Sequence, residues 1–130
     1  MATPQIFQRL SGTFVPSRFQ EFLLFYVTAF HELSLALKKL AGENLSIFYP
    51  SSTSIDGRPV NMTEYTMAKT AGEILCQDMQ SFGRVGRLLV RRLPRLPTDQ
   101  TATLLEAETA DPTEVILPIV RDVHAQTFSP

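Results

Sequence analysis

The sequence has no tryptophan, only two histidines and a single cysteine among its 130 residues. One cysteine excludes an internal disulfide. Cys76 falls within a helical pattern and reads as a small buried hydrophobe, which fits a reducing compartment. No apolar run reaches the ~18 residues that a membrane span needs. The N-terminus also lacks the basic-then-apolar order of a signal peptide. A cytoplasmic location with no membrane partner is therefore expected, and no metal site is read from the sequence. Neither sign of charge dominates: the formal net charge is −1. Arg84, Arg87, Arg91, Arg92 and Arg95 form a local cluster. They are read as a strand end and its solvated flanks. The pI of about 6.1 lies far below that of a nucleic-acid binder, so no nucleic-acid partner is expected.

Hydrophobic residues make up 44% of the chain, the ordinary globular share. The length suits one domain, and there are no repeats or low-complexity tracts. Residues 1–16 are irregular. Residues 18–41 follow a helical period, with Phe19, Phe22, Tyr26, Phe30, Leu33, Leu37 and Leu40 on a wide apolar face. Ser17 and Gln20 suggest a capping box, and Gly42 a C-terminal stop. A short strand is expected over residues 45–49, ending at Pro50. A second helix is expected over 62–82, capped by Asn61 and closed by Gly83. Residues 85–93 read as a strand buried on both faces. Asp111-Pro112-Thr113-Glu114 opens a third helix, which Pro118 kinks or shortens. Alternating helices and strands predict parallel pairing and the α/β class.

The chemistry concentrates on the second helix. Tyr65 and Lys69 are four residues apart and share one helix face. An ammonium one turn from a phenol stabilises the phenolate and draws its pKa down towards the range useful for proton transfer. Ser51 and Ser52 follow the first strand, where ligands of open α/β sheets bind. A hydroxyl there can hydrogen-bond the same substrate oxygen.

Together, Ile47-Phe48-Tyr49-Pro50-Ser51-Ser52 and Tyr65-Thr66-Met67-Ala68-Lys69 resemble the active-site stretch of the short-chain dehydrogenase/reductase family. There a strand ends in a serine pair and the tyrosine follows by about thirteen positions, as Tyr65 follows Ser52. The resemblance covers residues 17–125. It implies a partial Rossmann-like parallel sheet of about two strands and three helices within one incomplete domain, residues 1–130. It further implies NAD or NADP as cofactor and a carbonyl or alcohol substrate. Tyr65 would be the general acid/base, Lys69 would lower its pKa and hold the nicotinamide ribose, and Ser52 would orient the carbonyl. Thr98, in the proline-rich Pro94-Arg95-Leu96-Pro97-Thr98, would contact the cofactor. The family also pairs subunits through its long helices, which implies a homo- or hetero-oligomer through residues 18–41 and 62–82. Two departures stand out. Thr28 occupies the place of the family's proton-relay asparagine. The glycines at 12, 42, 57, 72, 83 and 86 form no Gly-x-x-x-Gly-x-Gly turn, so the nucleotide-binding half is not represented. The resemblance therefore implies an oxidoreductase-like fragment of doubtful activity alone, or a non-enzymatic homologue acting as a dimerisation or regulatory partner.

Overall fold

Helix α1 (Pro16–Leu23) begins one residue before the expected Ser17 cap. Proline has no N–H to satisfy and its fixed φ suits the first helical position, so Pro16 starts the helix and extended Val15 is the N-cap. The Val15 N–H donates to a carboxylate oxygen of Glu64 at 2.6 Å, across 49 residues of sequence. The computed structural model describes residues 14–96 and 110–128. Within it α1 runs into a π-helical segment, Leu24–Ala29, and then into α2 (Phe30–Ala41). The expected helix over 18–41 is thus one helical path with a wider turn in its middle. Gly42 ends it at φ +66°, a left-handed conformation that glycine adopts without steric cost.

The apolar face divides. Phe22 and Tyr26 are buried, with Phe30 and Ser34 continuing the same stripe inward. Leu33, Leu37 and Leu40, expected on the core face, are exposed. The buried stripe runs at strict four-residue spacing, and the leucines sit beside it.

Strand β1 (Ser46–Ser52) passes through Pro50 rather than ending there. Among the described residues β1 pairs on one edge alone, and an edge strand tolerates the missing N–H of proline. A one-turn helix, α3 (Ser54–Gly57), follows. Helix α4 (Thr63–Ser81) comes next, and Met62, not Asn61, is its N-cap. Asn61 adopts φ +64°, a left-handed conformation incompatible with the expected cap and one that asparagine accommodates.

Strand β2 (Arg87–Leu93) pairs parallel to β1, in register from Ser46↔Arg87 to Ser52↔Leu93. Helix α5 (Pro112–Phe128) opens with the Asp111 carboxylate accepting from the Thr113 N–H at 2.7 Å. Pro118 lies inside this helix and does not end it. Among the described residues the chain is therefore a mixed α/β structure with two parallel strands.

Alternation along β2 shows how the sheet is covered. Leu88 joins Tyr49, Cys76, Met79 and Val85 in one core cluster, and Arg92 on the same face reaches Glu73 of α4. Leu89 is buried on the opposite face, where Arg91 meets Asp122 of α5 at 3.4 Å. Phe22, Tyr26 and Ala68 form a second cluster that joins the first helix to α4. Cys76 is fully buried, as its helical setting suggested. Among the described residues no helix is long and apolar enough to cross a membrane.

Candidate active site

The two strands end side by side, and both ends border one cavity of about 440 Å³. Its wall includes Ser51 and Ser52 from β1, Tyr65 and Lys69 from α4, Leu93 at the end of β2 and Pro94 after it. This is the carboxyl edge of the parallel pair, where ligands of open α/β sheets bind.

The serine pair divides its work. Ser51 is buried and donates to Glu73 at 2.6 Å. Ser52, the last strand residue, accepts from the Ser54 N–H at 3.2 Å. Its side chain also lies near enough to Tyr65 to pull the phenol's pKa down a little. A two-residue offset from strand to turn thus brings a hydroxyl donor against the phenol.

Tyr65 is held by rings. It stands edge-on to Phe22 and Tyr26, with centroids 5.7 and 5.6 Å away. Both partners come from the first helical path, Tyr26 from its π segment. Lys69 is buried among the same rings. Its ammonium lies 3.8 Å from the Tyr26 ring centroid and donates to the Pro50 carbonyl at 2.6 Å.

This geometry changes the electrostatics that spacing alone suggests. Burial pushes the Tyr65 phenol above its ordinary value, and Ser52 offsets only part of that rise. The lysine does not lower it. Its charge is committed to Pro50 and the Tyr26 face, 5.7 Å from the Tyr65 ring centroid. Burial instead lowers the Lys69 ammonium to about 7, with a smaller opposing pull from the Cys76 thiolate. Cys76 itself is pushed up to about 12, chiefly by burial.

Glu73, Arg92 and Asp56 join the site without any signal that the motif carried. Arg92 grips Glu73 with two bonds, 2.8 Å from Nε and 2.7 Å from Nη2, and its third nitrogen reaches Asp56 of α3. The Arg92 hydrogen bonds hold the Glu73 carboxyl below its ordinary range against an opposing burial effect, with help from Ser51. Arg92, read as part of the strand end, lies in β2 with its side chain exposed. It is the clamp that ties both strand ends to α3 and α4. The available clue was periodicity: Tyr65, Lys69 and Glu73 follow one another at four-residue intervals on one helix face.

Thr28, named by the family resemblance, does not join the site. It is exposed and borders no part of the cavity. Thr98 lies outside the described residues. No family model matches the chain, and no curated protein or solved structure matches it at a significant level.

Proposed function

We propose that the chain carries the catalytic site of an NAD(P)-dependent oxidoreductase of the short-chain dehydrogenase/reductase type, on a partial Rossmann-like framework. The observation that carries this reading is that Ser52, Tyr65 and Lys69, the last one turn further along α4, line one cavity wall. The residues there suit the ribose end of a dinucleotide: Tyr65 and Lys69 line one cavity at the carboxyl ends of parallel strands. The described glycines include no cradle for the pyrophosphate, since Gly42 and Gly83, the two at positive φ, close helices. NAD or NADP, when bound, supplies or accepts a hydride.

The rest is work for this chain. The raised phenol keeps its proton at neutral pH, so Tyr65 acts as a general acid that gives a proton to a carbonyl oxygen. Ser52 orients that oxygen and supports Tyr65. Lys69 contributes N–H donors to the ribose hydroxyls. Carbonyl reduction is the favoured direction. A panel of small aldehydes and ketones with NADH or NADPH tests this. Reduction is expected to fall by about 10²–10⁴-fold in Tyr65→Phe and to fall in Ser52→Ala. Turnover that survives Tyr65→Phe contradicts it.

A second reading is favoured by the exposed apolar residues on the same helices: Leu33, Leu37 and Leu40 on α2, and Met67 and Ile74 on α4. Here the chain is a dimerisation or regulatory partner that pairs through the helices over 16–41 and 63–81. Light scattering on the purified chain is expected to give a multiple of the 14.6 kDa mass, reduced to a monomer by Leu37→Glu with Leu40→Glu. A monomer at all concentrations contradicts it.

A further inference from the structure

Lys69 has a second use that needs no dinucleotide. Lys69 lines the cavity of about 440 Å³, its side chain is buried, and the rings of Tyr26 and Tyr49 lie close to its nitrogen. Lysines that form imines in proteins share this setting, a desolvated amine in an apolar pocket with a proton donor nearby. The donor here is Tyr65, which lines the same wall with Ser52. We infer that Lys69 forms a reversible imine with small aldehydes and ketones that enter this cavity.

The geometry leaves the nitrogen free to react. In its neutral form it keeps one N–H on the Pro50 carbonyl at 2.6 Å, which orients the amine while the lone pair stays available. The lone pair forms the C–N bond at the carbonyl carbon. The carbonyl oxygen takes a proton from Tyr65, and the nitrogen returns one, giving a carbinolamine. Loss of the hydroxyl as water, again with a proton from Tyr65, closes the C=N bond as an iminium, whose N–H proton then returns to the Tyr65 phenolate. The net change is one amine and one carbonyl to one imine and one water, with no oxidant or reductant.

Neutral amine is plentiful near pH 7, because burial lowers this ammonium to about 7. The groups that face it are Tyr26 of the π segment, Tyr49 of β1, and Tyr65 and Cys76 of α4. Burial raises all four, and of them only Cys76 opposes the lowering of the lysine, by less than burial lowers it. Glu73, one turn further along α4, is committed to Arg92 and Ser51.

The chain has two other lysines, Lys38 and Lys39, which makes the test clean. Benzaldehyde is added to the full chain at pH 7 with cyanoborohydride, which traps an imine as a stable benzyl adduct, and no NAD(P) is present. Peptide mapping is expected to place one adduct on Lys69, formed about tenfold or more faster than on Lys38, Lys39 or the α-amino group. Lys69→Arg is expected to lose it, Lys39→Arg to keep it, and Tyr65→Phe to form it more slowly. Equal labelling of all amines, or no adduct on Lys69 in a chain with its native circular dichroism, overturns the inference. Because no dinucleotide enters the assay, its failure is separate from failure of the oxidoreductase reading.

Discussion

Tyr49 is 2% exposed, yet its hydroxyl is buried with no hydrogen-bond partner among the described residues. A hydroxyl moved from water without a partner costs about 1–3 kcal/mol. Tyr49→Phe is therefore expected to stabilise the fold by about 1 kcal/mol, read from denaturant midpoints at constant slope. A loss of stability would show that the hydroxyl has a partner. The same oxygen explains Gly72. A Cβ there would lie 1.9 Å from the Tyr49 hydroxyl and 2.5 Å from the ring carbon that bears it. Gly72→Ala must displace a core ring, and a cost of about 1–3 kcal/mol is expected despite the better helix propensity of alanine. A neutral result would contradict the close approach. Lys69 supplies the pH prediction. Its folded pKa, about 7, lies below the unfolded value of ~10.4. Between them the unfolded chain binds more protons, so stability rises with pH across this window. The cost of the buried charge is present in full below about pH 7 and relieved towards pH 10. Lys69→Met is expected to gain more over the wild type at pH 6 than at pH 9. An equal gain at both would contradict the burial of the charge.

The elements around the site are joined by one ionic cluster. Arg92 on β2, Glu73 on α4, Asp56 on α3 and Ser51 on β1 form a continuous set of bonds. This cluster holds the turn after β1, which positions Ser52. Arg92→Met is expected to speed amide exchange at Gly57 and Arg58, whose N–H groups bond Thr53 and Ser54. Unchanged exchange would show that the short helix stands without the clamp. Much of the element order was legible in the sequence: the long helix, α4, both strands and α5 follow from periodicity and glycine stops. What was not legible depended on partners distant in sequence. Glu64 reads as part of the start of its own helix, but its carboxylate takes the Val15 N–H at the start of another. Ser17 and Asn61 are good local caps, overruled by Pro16 and by a left-handed backbone at Asn61. The Tyr65–Lys69 spacing correctly places both side chains on one cavity wall. It does not foretell that the ammonium turns to Pro50 and Tyr26, which only the fold brings within reach.

At the scale of the whole molecule, the described sheet has two strands, and β1 has an open edge. Exposed apolar side chains line α2 and the outer face of α4. The helical pairing proposed above would cover these side chains, since apolar surface gains by leaving water. The proposed oxidoreductase site and the proposed helical pairing are compatible, because the cavity borders the strand ends and not the exposed leucines. The most direct measurement is the NAD(P)H-dependent reduction of small carbonyl compounds by the wild type and Tyr65→Phe, each shown folded by circular dichroism. The account predicts wild-type turnover that drops by about 10²-fold or more in Tyr65→Phe. No wild-type turnover with any carbonyl tested, or turnover that Tyr65→Phe leaves intact, would contradict it.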